Sequence, residues 1–167
     1  VSTASFVDSF SVASQETTPE GIAFNTDGTK MFIVGSNGDD VNEYTLGTGF
    51  DVSTATYSQN FSVAVQGAAP IGIAFNNDGT KMFIVTPAGD DVDEYTLGTG
   101  FDVSTASYSQ NFSVSAQETG PSGIAFNTWP PSINPIFTVV SGSIQPVCNK
   151  EIALAATSIA EIPFSGS

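Results

Sequence analysis

The sequence predicts an all-β fold assembled from repeated four-stranded antiparallel units. Three observations carry that prediction. The stretch Gly21-Ile-Ala-Phe-Asn-Thr-Asp-Gly-Thr-Lys-Met-Phe-Ile-Val34 returns at Gly72–Val85 and begins again at Gly123–Thr128, each time 51 residues later. Each unit holds short β-rich runs separated by Gly, Pro, Asn and Asp turns. No window has the period of 3.6 residues and the caps that a helix requires.

The repeat register also aligns Val1-Ser-Thr-Ala4 with Val52–Ala55 and Val103–Ala106, Phe10-Ser-Val12 with Phe61–Val63 and Phe112–Val114, and Pro19 with Pro70 and Pro121. The units are therefore 1–51, 52–102 and a truncated 103–128.

The second unit shows the elements in order. In Tyr57-Ser-Gln-Asn-Phe-Ser-Val63 the residues Tyr57, Gln59, Phe61 and Val63 alternate with Ser58, Asn60 and Ser62. A period of two predicts a half-buried strand. Ile71–Asn76 is a second strand, with Gly72 and Ala74 admitting close backbone approach. Asn77-Asp78-Gly79 is a hairpin turn that puts Gly79, and Gly28 before it, at positive φ. Met82–Val85 is apolar throughout, as a strand covered on both faces is. Pro87–Asp91 turns the chain into a fourth strand, Val92–Leu97, and Gly98–Ala106 leads into the next unit. Four strands in about 50 residues, one of them buried on both sides, predict β-propeller blades. A β-solenoid is the alternative architecture, but its coils are usually shorter and lack an internal Asp-Gly hairpin.

Pro-x-Gly-Ile-Ala-Phe-Asn-x-Asp-Gly-Thr-Lys-Met-Phe-Ile-Val followed by Gly-Asp-Asp-Val-x-Glu-Tyr-Thr-Leu resembles the YVTN/NHL-type propeller repeats over residues 1–128. The likeness is greatest to tandem repeats of large secreted or surface proteins of marine bacteria and of phage structural proteins. It implies an incomplete propeller of about two and a half blades, in which the first run of each unit is the outer strand of the preceding blade and the Gly-Ile-Ala strand lines the axis, and it is nearly silent on activity.

After Thr128 the pattern stops. Trp129-Pro-Pro-Ser-Ile-Asn-Pro135 reads as a Pro-rich linker. Residues 136–167 form a C-terminal extension in which Ile136–Val140 and Ile152–Ala156 are candidate strands of a second module. Pro135, Phe137, Cys148 and Leu154 weakly resemble the start of Ig-like modules of gliding-bacterium surface proteins.

Composition narrows the function classes. The formal net charge of −14, with 3 basic residues, argues against nucleic acid and against an anionic membrane surface. No apolar run reaches the length of a membrane-spanning helix. Without histidine the chain lacks the commonest general base, and no Ser-His-acid triad is available. Cys148 has no partner for an internal disulfide. The first residue is Val1, which is expected of a processed chain or of a piece of a longer one.

The candidate chemistry lies in the acidic turns. Asp39, Asp40, Asp90 and Asp91 offer hard oxygen ligands for calcium, with weak sites on the order of 10⁻⁴–10⁻³ M. The bland reading of the same residues, a solvated Asp-Asp turn that favours solubility, is preferred, and Glu16 and Glu20 are expected on the same exposed side of the disc. Lys30 and Lys81 are placed toward the other side, away from these carboxylates. A glycosidase carboxylate pair is disfavoured because the acids recur in every unit. Tyr44, Tyr95 and Trp129 are candidates for sugar stacking or for core packing.

The expected role is a non-catalytic, structural or adhesive scaffold of a secreted or cell-surface protein. Its expected partner is a protein or glycan, with self-association through open blade edges and no catalytic or cofactor-binding residues. A propeller hydrolase or lactonase-like enzyme is the alternative.

Overall fold

The computed structural model describes residues 3–126 and the strands 136–140 and 143–147. Eight strands form two four-stranded antiparallel sheets. The first contains β1 (Pro19–Phe24), β2 (Lys30–Gly35), β3 (Asp40–Leu46) and β4 (Ala55–Ser62) in that order. The second contains β5 (Gly72–Phe75), β6 (Lys81–Thr86), β7 (Asp91–Leu97) and β8 (Ala106–Ser113). The fold is all-β, with open sheets that match propeller blades. β4 and β8 come from the start of the following repeat, so each blade is completed by its neighbour's sequence, as the resemblance to propeller repeats implies.

The chain divides into two units, Val1–Thr128 and Trp129–Ser167. The second contains a hairpin of β9 (Ile136–Val140) and β10 (Ser143–Val147), paired from Ser143↔Val140 to Val147↔Ile136. The Pro-rich segment 129–135, Cys148 and the candidate strand Ile152–Ala156, with Leu154 in it, lie outside the described residues.

Blade 1 lies against blade 2 through one apolar core. It joins Phe32, Val34, Val41 and Val63 to Ile73, Phe75, Met82, Ile84, Tyr95, Leu97 and Val103. The Asp-Gly hairpins form as expected, with Gly28 at φ 73° and Gly79 at φ 70°. Phe50 and Phe101 lie over these turns, and a Cβ on either glycine would stand within 2.6 Å of the ring atoms. Glycine is thus required twice, by conformation and by space. Five other residues, Asp39, Phe50, Ala69, Asp90 and Phe101, also take positive φ. None is glycine, so composition gave no sign of them.

The inner strands approach closely. A Cβ on Gly21 would meet the Gly72 Cα at 3.3 Å, and one on Gly72 would meet the Gly123 Cα at 3.1 Å. Gly123–Phe126 therefore follows the same track as β1 and β5, although residues 121–126 form no strand.

Alternation in β4 needs one correction. Glu43 pairs with Gln59 but Tyr44 pairs with Tyr57, so Ser58 is an extra, bulged residue. The bulge reverses the facing of everything before it. Tyr57 thus packs edge-on against Tyr44 at 5.7 Å, while Phe61 packs against Tyr95 of the next blade at 5.7 Å. The sequence had placed Tyr57 and Phe61 on one face. The first run of unit 1 is not a strand either; its Phe10 and Val12 pack onto blade 1.

Candidate functional site

The acidic turns are structural hubs. Glu16 is fully buried, against expectation, and its carboxylate accepts N–H bonds from Thr18 at 2.6 Å and from Asn37 and Gly38 at 3.3 Å each. Asp39 Oδ1 accepts from the Ala69 N–H at 2.6 Å, and Asp90 Oδ1 accepts from the Gly120 N–H at 2.7 Å. Each thereby fastens the loop of the following repeat to its own blade. Asp40 is buried and accepts from the side-chain amides of Asn42 and Asn60. Asp91 is buried as well and accepts from Thr86 Oγ1 and Asn111 Nδ2. The solvated-turn picture therefore fails at Asp40, Asp91 and Glu16, because a turn that closes over neighbouring N–H groups needs acceptors inside it. Among the described residues, no group of three or more Asp, Glu, His or Cys converges on one point.

Asn42 marks one of the buried positions at which blade 2 departs from blade 1. Asn42 donates its amide to Asp40 Oδ1 at 2.7 Å. Its counterpart 51 residues on is Asp93, whose Oδ2 is buried without a partner. Burial and the neighbouring charge of Asp91 push the Asp93 carboxyl up from its ordinary 3.8 to about 6.

Tyr44 and Tyr95 are both fully buried, which settles them as core residues and removes them from sugar stacking. Burial pushes the Tyr44 phenol up to about 12 and raises that of Tyr95 as well. Their hydroxyls donate to Gln15 Oε1 at 3.4 Å and Gln66 Oε1 at 3.2 Å. Trp129 lies outside the described residues.

The lysines were expected away from the acidic turns, and the structure pairs both with other carboxylates. Lys30 meets Glu43 at 2.8 Å and Lys81 meets Glu94 at 2.6 Å. The acids concerned lie mid-strand, opposite the lysines' own β-strand, rather than in the turns, so turn placement alone did not reveal the pairs.

In blade 1 this pair forms a socket. Lys30 Nζ donates to the Phe101 carbonyl at 2.6 Å, and the Val103 N–H donates to Glu43 Oε2 at 3.1 Å. Gln59 Nε2 donates to both Glu43 Oε2 at 2.9 Å and Asp102 Oδ1 at 2.8 Å. The turn Phe101-Asp102-Val103 of blade 2 is thus plugged into Lys30, Glu43 and Gln59 of blade 1. Sequence reasoning missed this site because its partners lie 43 to 71 positions apart. A signal was present: Lys, Glu, Gln and Phe-Asp-Val each recur at the repeat period.

No family model and no curated protein matches the chain. Three solved structures resemble it in part. Hydrazine synthase of Kuenenia stuttgartiensis has 18% identity and a TM-score of 0.47, over 71% of this chain and 29% of that one. A functionally unknown protein of Desulfotomaculum acetoxidans has 20% identity and a TM-score of 0.43, over 57% and 27%. A 6-phosphogluconolactonase candidate of Bacteroides uniformis has 17% identity and a TM-score of 0.44, over 61% and 29%. The chain thus spans less than a third of the length of each of these structures.

Proposed function

We propose that the chain is a non-catalytic repeat module of a secreted or surface-exposed protein, a structural and adhesive scaffold with YVTN/NHL-like blades. One observation supports this best: Asp39, Asp40, Lys30 and Glu43 of blade 1 recur in blade 2 as Asp90, Asp91, Lys81 and Glu94, and all eight are spent on structure. Asp39 and Asp90 hold loops, Asp40 and Asp91 hold side-chain amides, and Lys30–Glu43 and Lys81–Glu94 form matching ion pairs. A reaction centre requires one unrepeated set of groups with an acid or base free to move a proton. A binding array presents the same surface on each unit. Glycan-array and surface-protein binding tests the reading, with saturable binding to one class of ligand expected. Turnover of lactones or esters by the purified chain, above buffer and without such binding, refutes it in favour of a hydrolase.

A further inference from the structure

Blade 2 carries the same socket as blade 1, and no described residue plugs it. Lys81, Glu94 and Gln110 stand 51 residues after Lys30, Glu43 and Gln59. They are joined in the same way, with Lys81 on Glu94 Oε1 and Gln110 Nε2 donating to Glu94 Oε2 at 3.0 Å. The apolar floor is also copied. Phe32 is 0% exposed beneath blade 2, whereas its counterpart Phe83 is only partly covered, by Phe126 at 4.7 Å. Phe112 is 71% exposed, while Phe61 at the same place in blade 1 is packed into the core. Phe83, Val92, Glu94, Gln110 and Phe112 line an open hollow.

The matching plug is present in the same chain. Phe50-Asp51-Val52 repeats Phe101-Asp102-Val103, in the same turn conformation, with Asp51 capping it as Asp102 does. Val103 is buried in the blade 1 socket, but Phe50 is 62% exposed and Asp51 and Val52 border an open surface. The chain therefore holds both halves of an interface whose geometry it already displays once internally.

We propose that blade 2 of one copy docks blade 1 of a second copy head to tail, the second copy's Phe50-Asp51-Val52 entering the socket of Lys81, Glu94 and Gln110. Lys81 then donates to the Phe50 carbonyl, the Val52 N–H to Glu94, and Gln110 to the Asp51 carboxylate. Two segments give way to identical or near-identical chain. The second copy's Gly21–Phe24 replaces Gly123–Phe126, the same four residues, and Phe112 of β8 with Val114 just after it replaces the second copy's Phe10 and Val12. Exchange of like for like carries little penalty. It also improves charge, since β8 brings Gln110 to Asp51 where the second copy's own segment brings Asp8. The interface is heterologous, so association continues beyond a dimer or closes as a ring.

Sedimentation of the full chain over a range of concentrations tests this. The average mass is expected to rise with concentration and not to stop at two copies. A socket variant (Gln110→Glu with Phe112→Asp) and a plug variant (Phe50→Asp) should each remain monomeric alone. Mixed in equal amounts they should form a dimer and nothing larger, because one intact socket meets one intact plug. Circular dichroism confirms that each variant is folded. If Phe50→Asp fails to fold, the single exposed change Gln110→Glu serves instead, and should weaken association about tenfold or more through carboxylate repulsion with Asp51. A parent chain that is monomeric at every concentration overturns the proposal, as do folded variants that still associate alone or fail to pair when mixed. Ligand binding by the scaffold is read separately and is unaffected by a monomeric result.

Discussion

Asp93 is a buried acid where the neighbouring repeat has an amide, and replacing it with Asn should stabilise the protein in a pH-dependent way. The carboxyl is 1% exposed, Oδ2 has no partner, and Asp91 lies beside it. A rise from 3.8 to about 6 corresponds to about 3 kcal/mol between the charged and neutral forms. The folded-state value is the raised one. The protonated group therefore favours folding fully below its unfolded value near 3.8, and that contribution is lost as the pH climbs through about 6. Above that range the ionised Asp93 opposes folding.

Asn cannot ionise, and its amide can donate to Asp91 as Asn42 donates to Asp40. We expect Asp93→Asn to stabilise the chain by about 2–3 kcal/mol at pH 8 and by little at pH 4. Urea unfolding followed by circular dichroism across that range measures it. The quantity of interest is variant minus parent, in which the other carboxylates cancel. The reverse change Asn42→Asp should destabilise at pH 8, by a similar amount. A difference that does not vary with pH, or a loss of stability in Asp93→Asn at pH 8, refutes the argument.

Other outcomes follow from the repeat comparison. Glu43→Ala removes the counter-charge of the partly exposed Lys30 and leaves the buried Val103 N–H unpaired, and should destabilise by about 1–3 kcal/mol, while Glu94→Ala on the open face should stay below about 1 kcal/mol, by thermal or urea melts. Gly67→Glu should destabilise by about 1–3 kcal/mol, because a Cβ there meets the Thr86 side chain at 2.6 Å. Adding Thr86→Gly should recover most of that loss, since it recreates the Glu16 and Gly35 pair of blade 1; additive losses would show that the pair is not coupled. Calcium should raise the melting temperature no more than sodium at matched ionic strength, because Asp39, Asp40, Asp90 and Asp91 already accept protein hydrogen bonds. A larger rise with calcium that disappears when these four become Asn would restore the cation site.

The 51-residue register yielded the strand order and the glycine turns, and the resemblance to propeller repeats supplied the handing of each outer strand to the preceding blade. These are local matters: a Gly at positive φ, or an apolar run of four, is dictated by neighbours close in the chain. The bulge at Ser58 was not legible, because it is a relation between Glu43 and Gln59 across two strands, and parity counted along one strand assumes that no residue is added. Nor was the fate of the acids. Asp40, Asp91 and Glu16 look like solvent residues in any window, and only folding brings Asn60, Asn111 and the Asn37 N–H to them. The same cause hid the socket. Lys30, Glu43 and Gln59 acquire meaning only when Phe101-Asp102-Val103 arrives from the next blade. Identical residues at Lys81, Glu94 and Gln110 remain open among the described residues, so sequence identity set the shape of both sockets while tertiary contact alone decided which one is filled.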